Sequence, residues 1–183
     1  EESEDQEEQS EAGEKNVAVT EEERLLLGTS SQGGTYYVWG GGWANIMNEN
    51  IPGVDISVEV TGGPVTNVQL IEEGEMELGF VTTWLGGEAY EGIGWADKTY
   101  EKIRNIIPMY PSVLYVYTLE DNPIKSVYDF EGKHISVGAP GSTSDQAGRI
   151  VLDVLGVTPE EISSLPTNTQ VDNLKDGLVD ANF

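Results

Sequence analysis

The chain has 183 residues, no cysteine, one histidine and a formal net charge of −24. Its length allows one long or two short domains. Disulfides, cysteine nucleophiles and cysteine-ligated metals are excluded, and a body this acidic without basic patches disfavours nucleic acid as a partner. A single histidine cannot build a His-rich zinc site, so neither a metal nor a cofactor is expected.

Residues 1–23 carry eleven acidic residues and one lysine, a net −10 that leaves −14 on the body. They have too few apolar groups to offset ordering, and read as a disordered acidic linker. Such a spacer suits an exported protein tethered through its N-terminus, and composition alone equally suits a plain solvated tail. The acidic body fits either high-salt adaptation or simple solubility. No stretch is apolar and long enough to span a bilayer. No signal peptide is present, so the expectation is a mature or a cytoplasmic chain.

The folded part is expected from residue 24. Leu25–Gly28 reads as a strand, followed by a Gly-rich turn and a helix over Thr35–Asn48 that tolerates Gly40, Gly41 and Gly42. Val54–Val60 alternates as a strand. Thr61-Gly62-Gly63 is a second Gly-rich turn, and Pro64 fits the first position of a helix that runs to Gly74. Met76–Val81 is expected as a strand, Thr82–Ala89 as a short helix, and Ile103–Met109 and Val113–Leu119 as strands. The pattern then restarts. Ser126–Phe130 is a short helical turn, His134–Gly138 a strand, and Gly138–Ser144 a third Gly-rich turn into a helix ending at Leu155 and closed by Gly156. Thr158-Pro159-Glu160-Glu161 has the spacing of a capping box. Thr169–Asp176 reads as a helix and Leu178–Phe183 as a strand in which the sequence stops, suggesting that it is incomplete at its C-terminus.

Alternating strands and helices imply an α/β architecture with largely parallel sheets. The restart implies two lobes, over 24–117 and 118–183. Ligands of such sheets sit at the carboxyl ends of strands, where all three Gly-rich turns lie. The first, Gly28-Thr29-Ser30-Ser31-Gln32-Gly33-Gly34-Thr35, has P-loop spacing, but Gly34 stands where the phosphate-binding lysine is required. What remains is a neutral cradle of N–H and hydroxyl donors suited to a carboxylate. Asn67 follows the second turn, and Ser142, Thr143 and Ser144 open the third helix, where capping is the commoner use of such hydroxyls. Tyr36 and Trp84 adjoin turns and could wall a pocket, whereas most of the aromatics, including Tyr37, Trp39, Trp43 and Tyr90, are expected in the core. His134 has no G-x-S-x-G partner and reads as structural. Asp145 is the one acidic residue at a turn that could serve an enzyme as general base.

The segments GTSSQGGTYYVWGGGWANIMN, VEVTGGPVTNVQLIEEGEMELGFV, DFEGKHISVGAPGSTSDQAGRIVLDVLG and LKDGLVDANF resemble the TAXI family, the solute receptors of one class of TRAP transporters. The resemblance runs from Leu25 to Phe183. It implies a class II periplasmic-binding-protein fold of two lobes and a cleft, with part of the second lobe missing. It further implies capture of a small organic acid or amino acid, such as glutamate or 2-oxoglutarate, outside the membrane. Delivery would be to TRAP integral membrane subunits, with a lipid anchor at the N-terminus as the only membrane contact, and without catalysis. The ligand groups it implies are Thr29, Ser30, Gly34, Thr35, Tyr36, Gly63 and Asn67 in the first lobe and Ser142, Thr143 and Ser144 in the second, with Thr82 and Trp84 at the pocket. Pro64, where many relatives have serine, and the Thr82-Thr83-Trp84 stretch depart from the family pattern. A sensory receptor of the same fold, or an enzyme for a carboxylated or phosphorylated substrate, are the alternatives.

Overall fold

A computed structural model describes residues 23–183. The expected linker lies outside the described residues except for Glu23, which already belongs to the first strand. The first lobe runs β1 (Glu23–Gly28), α1 (Thr35–Asn50), β2 (Val54–Glu59), α2 (Pro64–Glu73), β3 (Leu78–Gly79) and α3 (Thr83–Glu91). The second runs through a 3-10 turn (Val127–Phe130) to β4 (His134–Ser136), α4 (Thr143–Leu155), β5 (Glu161–Ser163), α5 (Thr167–Lys175) and β6 (Ala181–Asn182). Each lobe holds a parallel sheet of three strands, ordered β2-β1-β3 and β5-β4-β6. The first strand of each lobe is central, the second lies on one side and the third on the other. The two lobes therefore repeat one β-α-β-α-β path.

Apolar burial explains the register. Leu27, Ala44, Ile56 and Phe80 form the core between the first sheet and α1, and Val68, Ala89, Ala96 and Tyr100 a second core behind α2 and α3. Ile135, Val137, Leu152, Ala181 and Phe183 centre the core of the other lobe. Within α1 the three glycines are not equivalent. A Cβ on Gly40 would stand 2.7 Å from Thr29 Cγ2 and 3.0 Å from Phe80 Cε2, while one on Gly41 or Gly42 would meet open space. Close packing therefore accounts for Gly40 alone.

Three expectations are corrected. Ile103–Met109 and Val113–Leu119 are not strands; in this stretch only Tyr117 makes a bridge, antiparallel to Asn182. Their apolar runs have β propensity, but a strand needs a neighbour with free backbone groups, and Ile106 remains 77% exposed. Met76–Val81 contracts to the two residues of β3. Thr158–Glu161 does not cap a helix, because Glu161 pairs with His134 and begins β5. Burial of Ile162 against the second-lobe core outweighs the local capping signal. The capping box of this region lies instead at Ser126 and Asp129. There the Asp129 carboxylate accepts from the backbone N–H of Lys125 and Ser126, which lowers its pKa below the ordinary carboxylate value.

Candidate functional site

Every strand in each lobe except β6 hands the chain to a helix at its carboxyl end, and turns from both lobes open on one cleft of about 2310 Å³. That volume exceeds the few hundred to about 1,000 Å³ usual for a small-molecule pocket. Its lining also takes in most of the strandless segment 99–117, so the turns form only part of it.

The α1 terminus is the most open. Gly34 is its N-cap and contributes no side-chain bond. Tyr37 N–H donates to Gly34 O and to Ser30 Oγ, whereas the N–H groups of Thr35 and Tyr36 find no protein acceptor among the described residues. Two free donors at a helix N-terminus favour an anion. The α3 terminus also lacks a side-chain cap, and its N-cap Thr82 places Oγ1 at 3.3 Å from Thr143 Oγ1 across the cleft.

The α2 terminus differs. Pro64 has no N–H, and Val65 N–H donates to Gly141 O of the second lobe at 3.3 Å. Gly63, at φ +121°, faces Ser142 so closely that a Cβ would lie 3.2 Å from its Cα, and one on Gly62 would lie 2.8 Å from Pro140 O. This turn docks the other lobe, backbone against backbone.

At the α4 terminus Ser142 Oγ accepts from Asp145 N–H at 3.1 Å. The Asp145 carboxylate is 95% buried with its residue and accepts from Gly141 N–H, Arg149 Nε and Ser164 Oγ. The loop is tied to its own helix, and Thr143 and Ser144 line the cleft.

Among the expected ligand residues, Ser30, Gly34, Thr35, Tyr36, Thr82, Trp84, Ser142, Thr143 and Ser144 line this cleft. Thr29, Gly63 and Asn67 do not, which corrects their expected placement. Thr29 Oγ1 is fully buried and donates to Glu59 O at 2.7 Å. Asn67 is fully buried; its Nδ2 donates to the carbonyls of Gly28, Thr29 and Phe80, and its Oδ1 accepts from Thr61 Oγ1. Its side chain is committed inside the first lobe and braces the first turn. His134 lies outside the cleft lining with Nε2 2.6 Å from Ser163 Oγ, and no acidic or histidine cluster that could hold a metal occurs among the described residues.

Trp39, Trp43 and Tyr90, expected in the core, line the cleft instead, as do Phe80 and Tyr110, for which no role was expected. Trp39 lies three residues beyond Tyr36, on the same helix face, which was a legible signal. Tyr110 sat in an expected inter-strand turn with no such signal. Burial raises the pKa of Tyr36, an effect partly offset by the Ser112 and Thr143 hydroxyls beside it. Burial, then the neighbouring Tyr36, raises that of Tyr110. Both remain neutral donors at ordinary pH.

Solved structures share this architecture. The alkanesulfonate-binding protein SsuA from Xanthomonas axonopodis pv. citri, bound to MOPS, superposes with TM-score 0.59 at 17% identity over 88% of this chain and 54% of its own. The periplasmic aliphatic sulphonate binding protein SsuA from Escherichia coli gives 0.51 at 19% identity over 87% and 50%. A Streptococcus mutans protein, from work on glutathione import via GshT and the cystine ABC importer TcyBC, gives 0.55 at 14% identity over 88% and 66%. The chain thus spans about half the length of the two sulfonate-binding relatives, and its fold is the α/β fold of periplasmic solute-binding proteins. Residues 27–183 match the NMT1-like family from near the end of β1 to the last residue, and the chain belongs to that family.

Proposed function

We propose that this chain is the solute-binding part of an extracytoplasmic receptor that captures a small organic acid and delivers it to a membrane transporter, without catalysis. The observation that carries the proposal is the meeting of uncharged donors from both lobes, at the α1, α3 and α4 termini, in one cleft. A carboxylate or sulfonate needs only a few such N–H and O–H groups. The sulfonate ligands of the two SsuA relatives support an acid as the recognised group. The first lobe holds the acid on α1, and Thr143 and Ser144 of the second close over it. Asp145 supports binding over catalysis, since its carboxylate is spent on Gly141, Arg149 and Ser164.

The finer proposals rest on the resemblance to TAXI receptors: a TRAP-type carrier as partner and a lipid anchor upstream; the glutamate- or 2-oxoglutarate-like ligand that the resemblance implies is the rival to the ligand argued below. Isothermal titration with amino acids, dicarboxylates and sulfonates tests the receptor reading. Micromolar binding of an organic acid is expected, and nucleotide binding with no heat from any acid would overturn it. Ligand uptake into vesicles holding TRAP subunits, absent with an ABC importer, is the expected result for the finer partner.

A further inference from the structure

The α1 face that enters the cleft is aromatic. Tyr36, Trp39 and Trp43 recur at helical spacing on it, and all three rings gather on Phe80, with centroid distances of 5.4, 6.4 and 6.3 Å. Trp39 also packs 5.4 Å from Tyr110. This is not a closed core, because Trp39 is 45% exposed and lines the cleft. The wall begins at the free N–H groups of Thr35 and Tyr36 and continues from Tyr36 to Trp39, about 4.5 Å along the axis at 1.5 Å per residue.

Two further observations constrain what would fill it. Among the described residues the Tyr110 hydroxyl, buried beside Tyr36, has no hydrogen-bond partner, so a polar group admitted by a small shift of the ring would satisfy it. The cationic side chains of the cleft lining, Lys102 and Arg104, lie on the strandless segment and not on the aromatic face of α1. Lys102 Nζ donates to Glu72 O, and Arg104 donates to the carbonyls of Glu101 and Ile103. Nothing on the wall would neutralise a second carboxylate, whose burial without a partner is unfavourable.

Resting on the receptor reading above, we propose that the ligand is a monoanionic organic acid with a flat, aromatic body. Its acid group sits at the α1 terminus, its ring lies against Trp39 and Tyr36, and Tyr110 hydrogen-bonds a polar substituent on the ring. Flat rings pair favourably with such a wall by offset or edge contacts.

The test titrates the full chain with phenylacetate, 4-hydroxyphenylacetate, glutamate and 2-oxoglutarate, by calorimetry and tryptophan fluorescence. Expected are aromatic acids binding at least about tenfold tighter than the dicarboxylates, with a change in tryptophan emission. Trp39→Ala lowers aromatic affinity at least about tenfold, with an unchanged thermal melt. Tyr110→Phe weakens 4-hydroxyphenylacetate and leaves phenylacetate unchanged, which keeps the proposal testable if the tryptophan variant folds poorly. Tighter binding of glutamate or 2-oxoglutarate than of either aromatic acid overturns the proposal while the receptor reading stands. No heat from any of the four overturns the proposal, and the receptor reading falls with it only if the wider acid panel is silent too.

Discussion

The first turns of the two lobes occupy equivalent places, after the central strand of a three-stranded parallel sheet, yet they are held in opposite ways. The β4–α4 turn is held by its own helix: Ser142 caps Asp145 and Asp145 reaches back to Gly141. The β1–α1 turn is braced by Asn67, a residue of α2 that is 39 positions from Gly28, and its helix terminus has no side-chain cap. A brace brought from another element leaves the N-terminal donors of α1 unused. The contrast separates a terminus that caps itself from one that keeps its donors free, and it assigns stability to one set of residues and affinity to another.

The strongest way to break this contrast is Asn67→Ala. The carbonyls of Thr29 and Phe80 lose their donor and Thr61 Oγ1 loses its acceptor, while Gly28 O keeps Phe80 N–H; unfolding in urea is expected to lose about 3 kcal/mol, at about 1 or more per unsatisfied group. Asp145→Ala follows at about 2 kcal/mol in the same measurement, below the full loss of a buried ion pair because the Arg149 side chain is 48% exposed and regains water. Ser142→Ala removes an N-cap and is expected to lower stability by about 1 kcal/mol. Thr35→Ala sharpens the contrast from the other side. Thr35 is exposed and caps nothing, so the melt stays within about 0.5 kcal/mol while affinity for a bound acid falls about three- to tenfold, the worth of one neutral hydrogen bond. A large stability loss at Thr35, or none at Asn67, would reverse the assignment.

The smallest effect expected is one of pH. Tyr36 and Tyr110 both have folded-state pKa values raised by burial, so they hold their protons more tightly folded than unfolded. Their contribution is complete below the ordinary phenol value and is lost as pH rises through the folded value. Stability should be flat to about pH 9 as far as these groups decide it, then decline above about pH 10, and Tyr36→Phe should remove part of that decline.

Much of this was legible from residue order. Pro64 and Gly74 marked the ends of α2, Gly156 closed α4, and hydroxyls beside glycines announced the first and third turns, which line the cleft, but equally the second, which does not. What was illegible depended on partners remote in sequence. Asn67 reads equally well as a ligand group or a brace until Gly28, Thr29 and Phe80 are seen to present their carbonyls to it. The apolar runs after Tyr100 look like strands because propensity is local, whereas a ladder needs a neighbour at the right height. Glu161 looked like a capping residue because the capping pattern spans four positions, while the pairing with His134 reaches back across 27. Gly40, Gly41 and Gly42 are identical letters, and only Thr29 and Phe80 distinguish the first of them.

The docking of Val65 N–H on Gly141 O also supplies a clock. No side chain takes part in that bond, and any motion that parts the lobes hands the amide to water. Its deuterium uptake therefore counts the open population directly, without a label or a substitution. Neighbouring Asn67 N–H, bonded to Gly63 O inside the first lobe, keeps time on local fraying instead. The ratio of the two uptake rates distinguishes a lobe that swings away from a helix that melts.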